Sequence, residues 1–242
     1  MIEMLLFAGA VGAGIAVQSA VGFAGGLVAM PMLVLFLPAR TAVPAYSLTM
    51  LVLQALLALE SRQHVQWRLV VKLLIGGMIG VPLGAYVLRH APTEAIGLAI
   101  SAVSLTLAAT LMLATVRVGT ATGPQIAAGL ASGVLGGSMG TSGPPVALYG
   151  IARGWDKNTF RTTLLTYFAM MSIEANLVYL FLGMHSGHTL TLASAAVVPG
   201  CLIATGGIYV KNRVNERLFR WVVLAVIAAV SIAGMARCIL HR

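Results

Sequence analysis

Long apolar runs separated by short polar or glycine-rich interruptions set the plan of this chain. Ten apolar segments can be drawn: residues 2–17, 27–37, 43–59, 69–88, 95–116, 125–135, 146–151, 159–182, 190–210 and 221–240. A helix needs about 20 apolar residues to cross a bilayer. The third, fourth, fifth, eighth, ninth and tenth approach that length, whereas the second, sixth and seventh fall short. The short segments are expected to be half-helices or re-entrant pieces, paired across glycine-rich breaks.

Two such breaks stand out. The denser one is Gly136-Gly137-Ser138-Met139-Gly140-Thr141-Ser142-Gly143-Pro144-Pro145. Glycine costs about 1 kcal/mol in a helix interior and proline about 3 kcal/mol, so this run is expected to interrupt a helix. A weaker copy near the N-terminus is Gln18-Ser19-Ala20-Val21-Gly22-Phe23-Ala24-Gly25-Gly26. Glycine-interrupted segments at matching places in two halves of an apolar chain point to a transporter binding site.

The halves also correspond in detail. A shift of 118 places Gly22, Gly25, Val28 and Ala29 on Gly140, Gly143, Val146 and Ala147; a shift of 123 places Gly77, Gly84, Tyr86 and Val87 on Gly200, Gly207, Tyr209 and Val210. The expected organisation is a first membrane repeat at 1–116, a linker at 117–124 and a second repeat at 125–242. Each repeat holds three long helices and one broken pair. The pair leaves sidedness unchanged, so each repeat crosses an odd number of times and the second is inverted relative to the first.

Composition fixes the class. The 242 residues are 59% hydrophobic and 9% charged, with a mean hydropathy of +0.96. Soluble domains carry about 25% charged residues, so the chain reads as an all-α integral membrane protein. The net charge of +9 belongs to basic residues scattered between apolar spans, which act as topology signals and not as a nucleic-acid surface. Arg62, Arg68, Lys72, Arg117, Arg153, Lys157, Arg161, Lys211, Arg213, Arg217 and Arg220 fall on one side, and Arg40, Arg89, Arg237 and Arg242 on the other, eleven against four. The first side is therefore expected to be cytoplasmic, with both termini opposite it, in a multi-pass protein of the plasma membrane of a bacterial type (the inner membrane). The N-terminal stretch lacks a basic n-region and an A-x-A site and reads as a retained segment. Cys201 and Cys238 lie far apart in apolar runs, as small buried residues. His185 and His188, at i, i+3, make a poor metal signal, and neither a metal nor a cofactor is expected.

The breaks carry the candidate chemistry. The start of a half-helix presents unpaired N–H groups and partial positive charge, and glycine lets an anion approach that backbone. The candidate substrate-binding residues are Gln18, Ser19, Gly22, Phe23, Gly25 and Gly26 from the first break. The second contributes Ser138, Gly140, Thr141, Ser142, Gly143 and Pro144. Close packing of small residues is the competing reading of the same glycines. Glu174, with Asn176 nearby, is the carboxylate placed at membrane depth; it and Gln54 are candidates for coupling or gating. An interfacial carboxylate and an interhelical amide are the plainer alternatives. Tyr46 and Phe23 suit either a path lining or core packing.

Gly22-Phe23-Ala24-Gly25-Gly26 with Pro31, and Ser132-Gly133-Val134-Leu135-Gly136 leading to Gly140-Thr141-Ser142-Gly143-Pro144-Pro145, resemble the TauE/SafE family of membrane transporters, also called the sulfite exporter or toluene-sulfonate-uptake-permease family. The resemblance spans essentially the whole chain. The family's commoner pattern has runs of three glycines; here Ala24 precedes Gly25-Gly26, and Pro144-Pro145 stands where the first copy has Gly26-Leu27. The resemblance implies export or uptake of a small sulfur-containing or organic anion. The sequence thus favours a secondary transporter of sulfite, sulfonate or carboxylate, working by alternating access around two mid-membrane breaks. Its expected partners are the substrate, lipid and a coupling proton, with a homo-oligomer left open. An anion channel is the alternative. An intramembrane enzyme is less favoured, since no H-E-x-x-H, paired intramembrane aspartates or G-x-S-x-G occurs, and no G-x-x-x-x-G-K-[ST] supports ATP drive.

Overall fold

The computed structural model describes residues 1–62, 65–113 and 122–210, together with 225, 227–229 and 232–233. The basic stretch 211–220, most of the tenth segment, residues 117–121 of the linker, and Cys238, His64 and His241 lie outside the described residues. Within them the chain is all-helical, without strands: α1 Ile2–Val21, α2 Gly25–Leu33, α3 Ala39–Ser61, α4 Trp67–His90, α5 Thr93–Leu113, α6 Thr122–Met139, α7 Gly143–Ala152, α8 Lys157–Phe181 and α9 Gly187–Val210. Among these, α1, α3, α4, α8 and α9 are long and apolar enough to cross a membrane. At nine and ten residues, α2 and α7 are the short half-helices anticipated from the sequence.

Both breaks are narrower than expected. Helix α1 runs on through Gln18 and Ser19 to Val21, and stops at Gly22, whose left-handed φ of 91° lets its N–H close on the Gln18 carbonyl at 2.7 Å. Likewise α6 is not a half-helix: it spans 18 residues and continues through Gly136, Gly137 and Ser138, so the true interruption is Gly140-Thr141-Ser142. Glycine weakens a helix only modestly, and here tertiary packing offsets that cost.

The packing responsible is a backbone-to-backbone seam between α4 and α6. Gly76, Gly80 and Gly84 on one helix, and Gly129, Gly133 and Gly137 on the other, repeat at i, i+4, i+8 along one face. A Cβ on Gly76, Gly80 or Gly84 would strike the carbonyls of Ile126, Leu130 or Val134; on Gly129, Gly133 or Gly137 it would strike those of Leu73, Gly77 or Val81. Six missing side chains therefore let two helices touch along their length, the small-residue packing open to membrane proteins that have no hydrophobic drive between helices. Tyr179 Oη donates to the Gly137 carbonyl at 2.8 Å, Tyr167 Oη to that of Gly129 at 3.3 Å, and Gln125 Nε2 to that of Leu69 at 2.9 Å.

Contacts near the helix ends define two faces of the bundle. At one, Gln66 Nε2 donates to Thr159 Oγ1 at 3.0 Å, Lys72 Nζ to Thr122 Oγ1 at 3.3 Å, and Arg161 pairs with Glu60 at 2.8 Å. At the other, Arg40 Nη2 donates to the Ala91 carbonyl at 2.9 Å, Arg89 Nη1 to that of Leu182 at 2.8 Å, and His188 meets Glu3 at 3.3 Å. It follows that α1, α3 and α9 run one way and α4, α6 and α8 the other. The main pairings are reciprocal: α1 packs on α9 as α6 packs on α4, and α3 packs on α8.

Candidate functional site

Each short helix doubles back along the long helix before it. Gly14 of α1 lies against Gly25 and Ala29 of α2, and Ser132 Oγ of α6 donates to the Ser142 carbonyl at 2.5 Å. The hairpin α1–α2 enters from one face of the bundle and α6–α7 from the other. Their turns meet inside. A methyl group on Gly26 would lie 2.5 Å from the Gly140 carbonyl oxygen and 3.1 Å from Thr141 Cα, and one on Gly143 would lie 3.5 Å from the Ala24 nitrogen. The starts of α2 and α7 thus face a common space.

That space is a pair of adjoining cavities. The first, of about 290 Å³ counting space open to solvent, is lined by Gln18, Ala24, Gly25, Gly26, Leu27, Tyr46, Gln54, Gly140, Thr141, Ser142, Gly143, Pro144 and Phe168. The second, of about 380 Å³ on the same basis, shares Tyr46, Gln54, Gly140, Ser142 and Phe168 and extends to Ser47, Met50, Val81, Gly136, Met171, Ser172 and Ala175.

Eight of the twelve residues singled out for substrate binding line the first cavity: Gln18, Gly25, Gly26, Gly140, Thr141, Ser142, Gly143 and Pro144. Four do not. Ser19 turns back to the Ala16 carbonyl at 3.1 Å and packs on Gly207. Ser138 donates to the Val134 carbonyl at 2.6 Å, and Gly22 rests on Arg161. Phe23 stacks edge-on against Phe160 with centroids 5.7 Å apart.

Of the coupling or gating candidates, Gln54 lines both cavities, with a buried Oε1 that has no hydrogen-bond partner among the described residues. Asn176 lies outside the lining and joins α8 to α3, its Nδ2 donating to the Ser47 carbonyl at 3.0 Å and Ser47 Oγ at 3.1 Å. Glu174 also lies outside the lining, its Oε2 buried without a partner among the described residues. The lining residues Met50 and Phe168 went unremarked in the sequence because they look like any apolar position. Only the fold gathers them.

Local geometry separates the two helix starts. Ala24 caps α2 in the left-handed region, at φ 72°, ahead of Gly25 and Gly26, so the first turn of α2 offers consecutive backbone amides. At α7, Pro144 and Pro145 have no N–H, which leaves Gly143 as the amide donor of the first turn. The polar side chains around the cavities are amides and hydroxyls, and among the described residues no lining side chain carries a formal charge.

A helical bundle with five spanning-length helices among the described residues, and with two short helices meeting head to head beside a polar-lined cavity, is an integral membrane protein. The chain belongs to the sulfite exporter TauE/SafE family of membrane transporters, whose family model matches residues 6–234. No curated protein and no solved structure matched it.

Proposed function

We propose that the protein is a secondary transporter of a small organic or sulfur-containing anion, such as sulfite, a sulfonate or a carboxylate, working by alternating access around its two helix breaks. The observation that carries this reading is the meeting of Gly26 with Gly140 and Thr141, which brings both half-helix starts to one cavity. Unpaired amides and the positive ends of two helix dipoles favour an anion there. In this reading the eight cavity-lining candidates from Gln18 to Pro144 hold the substrate. Glu174 serves as the protonatable coupling group, with Asn176 and Gln54 at the gate. Residues 1–116 and 125–242 form inverted repeats joined by 117–124, a reading supported by the opposite directions of α1 and α6 and by the reciprocal pairings. The face holding Glu60, Lys72 and Arg161 is cytoplasmic, by its excess of basic residues. Both termini lie opposite it, in a bacterial inner membrane.

The test is uptake by purified protein in liposomes of sulfite, taurine, sulfoacetate and simple carboxylates across an imposed pH gradient. Saturable flux of one of them, lost in Gly143→Leu with insertion intact, is expected, because that side chain would grow into the cavity. Unsaturated, ohmic flux would instead favour a channel. Glu174→Gln is expected to change the pH dependence of flux; an unchanged profile removes it from coupling.

A further inference from the structure

Resting on that reading, the make-up of the cavity goes further and bears on the charge of the ligand. Gln18 is 3% exposed, and its Nε2 has no hydrogen-bond partner among the described residues although the residue lines the cavity beside Gly25. A buried donor left unpaired forfeits its hydrogen bond to water without replacement, so an acceptor in the cavity would relieve it. The first-turn amides of α2 stand next to it, and the Ser142 hydroxyl adds a donor across the space. Every one of these donors is neutral. The adjoining cavity sets the apolar side chains of Met50, Val81, Phe168 and Met171 beside the neutral polar groups of Ser47, Gln54 and Ser172.

We infer that this site selects by charge state, taking a singly charged oxyanion such as hydrogensulfite or a sulfonate and rejecting the sulfite and sulfate dianions. The cost of stripping water from an ion grows as the square of its charge, while its attraction to fixed dipoles grows only in proportion. A cradle of neutral donors therefore pays back a monoanion far more completely than a dianion. The nearest ionisable groups leave that balance in place. The Tyr46 phenol is a neutral member of the lining, Arg161 is engaged with Glu60 behind Gly22, and Glu174 lies outside the lining.

Initial rates in proteoliposomes test this, with methanesulfonate and lactate as fixed monoanions, sulfate and malonate as dianions, and sulfite titrated from mildly acid to mildly alkaline pH. At least one monoanion is expected to move about tenfold or more faster than the dianion of its class. The ratio of sulfite to methanesulfonate flux is expected to fall with rising pH as hydrogensulfite is consumed; taking the ratio cancels any pH effect on the protein itself. Sulfate or malonate carried as fast as its monoanion, or a ratio flat across the titration, overturns charge selection and leaves the transporter standing. Silence from all five probes overturns both.

Discussion

Arg161 Nη1 lies 2.8 Å from Glu60 Oε2 while the stem of Arg161 packs on Gly22, so a single guanidinium ties α8 and α3 to the end of α1. Its Nη2 also reaches the Ser19 carbonyl at 3.5 Å, among the last carbonyls of α1, where positive charge complements the helix dipole.

That arrangement needs the planar fork. The side chains of Arg161 and Glu60 are 12% and 27% exposed, so the pair is largely withdrawn from water. Arg161→Lys keeps the charge but cannot serve Glu60 and Ser19 together. It is expected to cost about 1–3 kcal/mol, read as a lowered melting temperature in detergent; an unchanged melting temperature would show that the fork does not matter.

The seam between α4 and α6 predicts a sharp contrast among glycines. Gly80→Ala drives a methyl into the backbone of α6, and Gly133→Ala drives one into the backbone of α4. Each is expected to destabilise by about 1–3 kcal/mol through overpacking. Gly9→Ala, in open space on α1, is expected to be neutral or mildly stabilising, since alanine is the better helix former. Thermal unfolding of the three variants side by side checks it.

Ala24 holds a left-handed φ of 72° with a Cβ attached. Such a conformation costs an L-residue roughly 1–2 kcal/mol, and glycine escapes the penalty. Ala24→Gly is expected to raise stability by up to about 1 kcal/mol and to preserve transport, because the backbone at the start of α2 is unchanged. Lower stability would mean that the methyl group, which lines the cavity, packs there to advantage.

Asp156 caps α8 from outside the spanning stretch, accepting from the Asn158 and Thr159 amides at 3.0 Å each. The Thr159 hydroxyl, then its amide, hold the carboxyl below the usual carboxylate range. A depressed folded-state value means that the cap's contribution is fully present above the ordinary carboxylate pKa and is lost as pH falls through the depressed one. Asp156→Asn retains most of the cap and is expected to flatten this acid-side dependence in a melting-temperature titration. An equally steep titration would assign it to other carboxylates.

The order of segments and the shortness of α2 and α7 were legible in hydropathy, because apolar length maps directly onto helix length. The break positions were legible only to within a few residues. Glycine has two uses here that look alike in one dimension: Gly140 turns the chain with a positive φ, whereas Gly137 stays helical to admit Val81 of α4. The spacing of Gly76, Gly80 and Gly84 against Gly129, Gly133 and Gly137 was present in the sequence and could have revealed the seam. Which helix each row would meet is a tertiary fact with no local signal. The candidate site divided in the same way. Gln18 reaches the cavity from a continuing helix, while Ser19, one residue on, faces α9 instead.

Two helices joined through bare backbone have no side chains to rearrange between them, so their interface behaves like a gear with no clearance. Sliding one past the other would drive carbonyls into alpha carbons at every tooth. Any alternation of access must therefore carry α4 and α6 as a single girder. The corresponding joint between α1 and α9 is filled by Ile203 against Gly12 and Ser19 against Gly207, where rotamers can change. If access alternates as proposed, the opening stroke is expected to begin at this joint, where side chains and not bare backbone fill the gap.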